Sequence, residues 1–339
     1  MNGRSQYLPG EGRVVALCGG VGGAKLAVGL QHVLGERLSV VVNVADDFEH
    51  LGLHISPDLD TVLYTLAGLS DPVRGWGRSD ETWNFMEALK QIGGETWFLL
   101  GDRDVAMHVE RTRRRSSGES LTAIASDIAR RLGVRSVVLP VTNDKLSTMV
   151  DSSEGELEFQ RYFVGRRCEP VVKQIWFNGA RNARLSEEVL ASFDAEDLRL
   201  IILCPSNPYL SIDPILAVPG MAEKLRATSV PVVAISPIID GQAIKGPTRK
   251  IMDELGLEPS NAEIARHYAG LLDGLVIDSA DAAGSADLGV DVHPAPTLMT
   301  DLQSKITLAE HALAFGESLR AKHERRSRPP SKGAHHDDT

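Results

Sequence analysis

An apolar run at residues 13–17 leads into four glycines within five positions, Gly19, Gly20, Gly22 and Gly23, and then into a helical pattern at 24–34. Few folds accommodate that order. A strand must deliver the chain into a tight turn whose missing side chains admit another backbone or a ligand, and the turn must open directly into a helix. The stretch ALCGGVGGAKLAVGL therefore predicts the first βα unit of a parallel sheet. The rest of the chain repeats the alternation. Strand-like runs rich in Val, Ile and Leu fall at 39–44, 96–99, 136–141, 200–203, 230–235 and 275–277. Helical patterns fall at 61–69, 82–92, 121–132, 221–227 and 248–255, with Ser120 as an N-cap and Gly133 just past a last turn. The predicted fold class is α/β, a Rossmann-like, doubly wound and mostly parallel sheet.

One stretch breaks the pattern. LSTMVDSSEGELEFQRYFV, residues 146–164, carries two strand-like runs around a polar turn at 152–155, which is a hairpin signal. It is assigned to a small β-containing insertion around 142–182 that covers a site or builds a dimer contact. The expected organisation is an N-terminal extension at 1–12, a main domain at 13–319 and a disordered, charged tail at 320–339. His335, His336, Asp337 and Asp338 in that tail resemble metal ligands only in composition.

Charge narrows the partners. A formal net charge of −10 argues against nucleic acid, whose phosphate backbone requires a basic face. No uninterrupted apolar stretch would cross a bilayer and no signal pattern opens the chain, so a soluble cytoplasmic protein without membrane partners is expected. Cys18, Cys168 and Cys204 lack zinc or redox spacing and are expected to be small buried residues.

The glycine turn matches no standard fingerprint completely. A nucleotide-hydrolase loop ends in Gly-Lys-Ser/Thr, whereas Lys25 here lies between Ala24 and Leu26, so the magnesium-binding hydroxyl is missing. In a dinucleotide fingerprint Lys25 would occupy the third glycine position. The residues fit a phosphate cradle, with a ligand-free tight turn as the alternative. The next strand runs into ADDFEHLGLHISPDLDT, which sets Asp46 and Asp47 at its carboxyl end and Asp58 and Asp60 at the start of the next helix. Hard oxygen ligands of this kind suit Mg²⁺, although Asp58 alone also fits an N-cap and a single Asp also fits a ribose diol. Later turns add Asp102, Arg103 and Asp104, then Ser206, Asn207, Ser236 and Lys245, groups suited to phosphate or base recognition. Arg111, Arg113, Arg114 and Arg115 read as a solvated helix face, and His108 stays ambiguous.

Taken together, GGVGGAK, NVADD, SPDLDTVLYTLAG, DETWNFMEAL, LGDRDVAMH, PSNPYLSIDPILAVPGM and SPIIDGQAIKGPT resemble the 2-phospho-L-lactate transferase family of coenzyme F420 biosynthesis. The resemblance runs in the same order over roughly residues 13–315. It implies transfer of a phosphorylated three-carbon acid from a guanosine-diphosphate-type donor to the terminal hydroxyl of the deazaflavin Fo, with Mg²⁺ and release of GMP. Donors carrying 2-phospholactate, phosphoenolpyruvate or 3-phosphoglycerate occur in the family, and a homodimer is its expected assembly. On this reading Asp46, Asp47 and Asp60 hold Mg²⁺, and Asp47 and Asp60 also serve the acceptor hydroxyl. Gly19, Gly20, Gly22, Gly23 and Lys25 neutralise the donor phosphates together with Ser206, Asn207, Ser236 and Lys245. Asp47, Thr82, Trp83, Asn84 and Lys90 line the acceptor cleft. Two alternatives stand beside it: a non-catalytic nucleotide-sugar-binding regulator of the same superfamily, and an NAD(P)-dependent dehydrogenase, which Lys25 disfavours.

Overall fold

The computed structural model describes residues 11–243, 247–285 and 287–327. In chain order, β1 (Arg13–Cys18) feeds α1 (Gly20–Leu34), β2 (Leu38–Val42), the hairpin of β3 (Phe48–His50) and β4 (Leu53–Ile55), and α2 (Pro57–Leu66). Then come α3 (Asn84–Gln91), α4 (Asp102–Ser116), α5 (Leu121–Arg131), β5 (Val137–Pro140), β6 (Ser147–Ser152), β7 (Gly155–Glu158), β8 (Val172–Asn178) and α6 (Glu187–Phe193). The second half contains β9 (Leu198–Leu203), α7 (Asp213–Leu216), α8 (Met221–Ala227), β10 (Val232–Ile235), β11 (Ile238–Ile239), β12 (Gln242–Ala243) and α9 (Thr248–Glu254). It ends with α10 (Asn261–His267), β13 (Gly274–Asp278), β14 (Asp291–Ala295) and α11 (Leu302–Ser327).

Seven strands form one sheet in the order β14-β13-β10-β9-β1-β2-β5, with every pairing parallel. The chain builds outward through β2 and β5, returns to the other side of β1 at β9, and builds outward again. That is the Rossmann-like order, and the reversal between β1 and β9 opens a crevice at their carboxyl ends. Central strands such as β2 and β10 are buried at every position, which their unbroken Val, Ile and Leu runs permit because helices flank the sheet.

Helix α1 packs against α2 and α11. A Cβ built on Gly29 would lie 2.0 Å from the Lys305 carbonyl oxygen, so α1 and α11 touch backbone to backbone there. Buried Gln31 ties the layer together: its Nε2 donates to the Leu66 carbonyl at 3.0 Å, and its Oε1 accepts from the Arg135 and Ser136 amides at 3.1 Å each.

Several expectations are corrected. Residues 96–99 are not a strand; Trp97 and Phe98 turn their rings onto Phe48 and His50 of the β3–β4 hairpin. Strand β14 escaped notice because DVHPA is polar and contains Pro294, which an edge strand tolerates. Helix α2 starts at Pro57 with Ser56 as its N-cap, so Asp58 is not the cap. Arg111 is no solvated residue but is 1% exposed, and Cys168 is only half-buried. Helix α11 continues through Ser327, past the expected start of the tail at 320; His335, His336, Asp337 and Asp338 lie outside the described residues. The hairpin expected around 152–155 is β6–β7, which β8 extends to a three-stranded antiparallel sheet. Among the described residues no helix is long and apolar enough to cross a membrane.

The α1–α11 contact yields a stability prediction. Gly29→Ala should destabilise the chain by about 1–3 kcal/mol in urea denaturation, because overpacking outweighs the ~1 kcal/mol gained in helix propensity. An unchanged or raised midpoint would contradict the backbone contact.

Candidate active site

A cavity of about 1150 Å³ lies along the carboxyl edge of the sheet. The turns after β1, β2, β9, β10 and β14 contribute Gly20, Asp46, Ser206, Ser236 and Thr297 to its wall. Ligands of open parallel sheets bind at this edge, beside the strand reversal.

The glycine turn is shaped first by contact with the turn after β9. A Cβ on Gly22 would lie 2.4 Å from the Pro205 carbonyl oxygen, and one on Gly19 would lie 2.5 Å from Asp58 Oδ2. The Gly19 amide donates to Ser206 Oγ at 3.1 Å, and the Ser206 hydroxyl donates back to the Gly19 carbonyl at 2.7 Å. Gly23 is buried against Ser206, whereas Gly19, Gly20 and Gly22 reach the cavity, so the positive end of α1 faces it. Lys25 also lines the cavity, its Nζ donating to the Met299 carbonyl at 2.9 Å.

Asn207 and Ser236 line the cavity while holding their own turns. Asn207 Oδ1 accepts from the Tyr209 and Leu210 amides at 3.0 and 3.1 Å, and its Nδ2 donates to Thr248 Oγ1 at 2.9 Å. Ser236 Oγ accepts from the Ile238 amide at 3.2 Å. Lys245 lies outside the described residues.

The acidic residues divide into two environments. Asp46 and Asp58 are buried on the cavity wall beside the glycine turn. Asn43, itself fully buried, donates to Asp58 Oδ2 at 2.9 Å and also hydrogen-bonds Asp46. Burial pushes the Asp58 carboxyl up to about 6, against hydrogen bonds from Asn43, the Gly20 amide and Ser211. Burial, reinforced by the neighbouring Asp58 charge, raises Asp46 well above the carboxylate range. Neither has a salt-bridge partner among the described residues.

Asp60 is different. Both of its oxygens accept from the buried Arg111 guanidinium, with Nη2 at 2.8 Å from Oδ2. The same Nη2 donates to His108 Nδ1 at 2.8 Å, which leaves the ring proton on Nε2, 3.3 Å from Asp104 Oδ2. The Tyr64 hydroxyl donates to Asp104 Oδ1 at 2.6 Å. Burial opposes ionisation of Asp104, yet His108 and Tyr64 hold its carboxyl below the usual range. One donor atom from each of Asp60, Asp104 and His108 lies within 4.8 Å of the others. Arg111 already supplies that trio with a cation.

Asp47 lies behind the wall and does not line the cavity. Its Oδ2 accepts from Ser56 Oγ at 2.7 Å, while its buried Oδ1 has no partner. Burial raises its carboxyl well above the usual range, with Ser56 and the Arg111 charge pulling the other way. His54 stands 3.6 Å away, but burial lowers it to about 3 and leaves it neutral. The three carboxylates expected to share one metal, Asp46, Asp47 and Asp60, thus do not converge: the only trio gathered among the described residues is the one around Asp60, Asp104 and His108.

Thr82, Trp83, Asn84 and Lys90 do not line this cavity. Thr82 Oγ1 and Asn84 Nδ2 donate to Asp102 Oδ2 at 2.6 and 2.7 Å, and the Phe85 amide donates to Oδ1 at 2.9 Å, so Asp102 caps α3. Glu81 returns the arrangement by accepting from the Arg103 and Asp104 amides of α4. Trp83 packs under the Arg74 guanidinium, 4.9 Å from its ring centre, and Lys90 is exposed in the last turn of α3. The aromatic wall is instead built by Trp76, Trp97, Phe98, Phe159 and Phe163. Sequence reasoning gave Trp97 and Phe98 to a strand. It assigned Phe159 and Phe163 to the insertion, where an expected site-covering role was the available signal.

A phosphate-type turn, buried carboxylates and an aromatic wall share one cavity, and comparison with known proteins identifies the family. The 2-phospho-L-lactate transferase CofD model matches residues 14–293. The chain belongs to that family. A phosphoenolpyruvate transferase of Streptomyces griseus is 38% identical over 321 residues, covering 91% of this chain and 100% of that protein. A 2-phospho-L-lactate transferase of Methanosarcina mazei is 38% identical over 301 residues, covering 88% and 98%. The crystal structure of a UPF0052 family member from Bacillus halodurans aligns with a TM-score of 0.55 at 19% identity, covering 89% of this chain and 99% of that one, a likeness of fold.

Asp58 gives the transferase a pH signature. Its folded pKa of about 6 exceeds the unfolded value of about 3.9, so its stabilising contribution is complete below about pH 4 and is lost as pH rises through about 6. Asp58→Asn removes that loss. The melting temperature of the variant relative to the wild type should rise between about pH 4 and about pH 6 and level off above that window; a difference that stays constant or falls from about pH 4 to about pH 6 would contradict the assignment.

Proposed function

We propose that this transferase moves a phosphorylated three-carbon acid from a guanosine-diphosphate-type donor to the terminal hydroxyl of the deazaflavin Fo, releasing GMP and forming coenzyme F420-0 or its dehydro form. The observation that carries this reading is the pairing, in one cavity, of the α1 amino terminus with an aromatic wall, across the buried Asp46 and Asp58. Phosphoryl transfer asks a protein mainly for positioning and charge neutralisation, and GMP leaves as a stable anion.

Two desolvated carboxylates without a cationic partner among the described residues, and the orphaned Oδ1 of Asp47 behind them, fit a divalent cation. Asp46 and Asp58 would hold Mg²⁺, which when bound offsets the diphosphate charge. The turn amides and Lys25 would meet the remaining phosphate oxygens. Asp60, paired with Arg111, would orient the acceptor hydroxyl, with Asp47 supporting it through Ser56 and the shared Arg111 charge. The deazaflavin ring would lie against Trp97, Phe98 and Phe163.

Relatives named for two different acids match at the same 38% identity, so product mass is the measurement that identifies the donor. The chain, Fo and Mg²⁺ are incubated with the phosphoenolpyruvyl, 2-phospholactyl and 3-phosphoglyceryl guanosine donors in turn. One donor should yield GMP and a product heavier than Fo by that phospho-acid less one water. No product with any of the three would overturn the reading, and nucleotide binding without Fo binding would favour the regulator.

A further inference from the structure

The segment at 161–168, between β7 and β8, is fastened at both sides of the cavity. Lys250 of α9 donates to the Pro170 carbonyl at 3.0 Å and to the Tyr162 hydroxyl at 3.3 Å, and pairs with Glu254. On the other side the Arg161 guanidinium lies 4.0 Å from the centre of the Trp97 ring. Between these anchors the backbone adopts a conformation that side chains disfavour: Arg167 has φ +51° and Cys168 has φ +58°. Consecutive left-handed residues, neither of them glycine, persist only where the surroundings enforce them, and such strain gathers at ligand sites.

The strained turn carries Arg167 to the cavity wall. Its neighbours are neutralised, Arg161 by Glu95 and Arg166 by Glu154, but Arg167 has no ion-pair partner among the described residues. The other cavity cations are engaged, Lys25 with the Met299 carbonyl and Arg74 with Asp71 at 2.8 Å. Against them stand four cavity carboxylates, Asp46, Asp58, Asp60 and Asp104.

That balance poses a problem for the substrate. The transferred acid carries a carboxylate as well as its phosphate, and the engaged cations of the wall leave that second charge without a partner. A guanidinium matches a carboxylate in a two-pronged, planar geometry that lysine does not offer. We propose that Arg167 recognises the carboxylate of the transferred three-carbon acid and selects acids over their uncharged analogues. The inference rests on the transferase reading above.

The test compares the productive guanosine donor with its carboxamide analogue, using the full chain, Fo and Mg²⁺. Wild type should prefer the acid by roughly 10- to 100-fold in kcat/KM, the range of a charge-assisted pair. Arg167→Gln should lose most of that preference through a raised donor KM, with the Fo KM unchanged, and Arg167→Lys should keep part of it. Arg167→Gly should lose the preference while melting higher than wild type, because glycine relieves the positive φ. If wild type turns over but Arg167→Gln keeps the full preference for the acid, the Arg167 assignment is overturned alone. If wild type makes no product with any donor, both readings fall.

Discussion

The contact between the glycine turn after β1 and the turn after β9 is the constraint on which the site depends. Gly22 rests on the Pro205 carbonyl, Ser206 both accepts from and donates to Gly19, and Asp58 Oδ2 occupies the space a Gly19 side chain would need. Glycine is therefore required twice: for the close approach of two strand ends, and for a helix start that opens onto the cavity. The same contact presses Asp58 into a desolvated position, where its carboxyl rises to about 6. Packing and electrostatics here have one cause.

The cavity handles its negative charge in two ways. Around Asp60 and Asp104 the chain supplies its own cation, the buried Arg111, and locks His108 into one tautomer. Removing one partner of such a pair costs about 3–5 kcal/mol, so this half is built to stay as it is. Around Asp46 and Asp58 no cation is supplied among the described residues, and burial weakens the acids instead. One half is a finished internal structure. The other has the electrostatics of a site completed by something that binds.

Much of the fold was legible because it rests on local signals: six of the seven parallel strands follow from unbroken apolar runs, and Ser120 caps α5 as its sequence suggests. The failures share a physical origin. Residues 96–99 are apolar enough for a strand but spend their rings on the β3–β4 hairpin, while β14 is a true strand whose polar, proline-containing sequence suits only an edge. The glycine turn and Asp46 were placed at the cavity by their positions at strand ends. What sequence could not supply was the partner of each charge. Arg111 looks like the exposed Arg113 until α4 brings it against Asp60 of α2, and Arg167 acquires significance only from a backbone angle and the cavity beside it.

Under the proposed function Asp58, beside the glycine turn, belongs to the half of the site a cation completes. Titration of Mn²⁺, as a paramagnetic substitute for Mg²⁺, followed by electron paramagnetic resonance in the presence of GMP tests this most directly. One tight Mn²⁺ per wild-type chain is expected, with an affinity at least about tenfold weaker in folded Asp58→Asn. Equal Mn²⁺ affinity in the two proteins would contradict it.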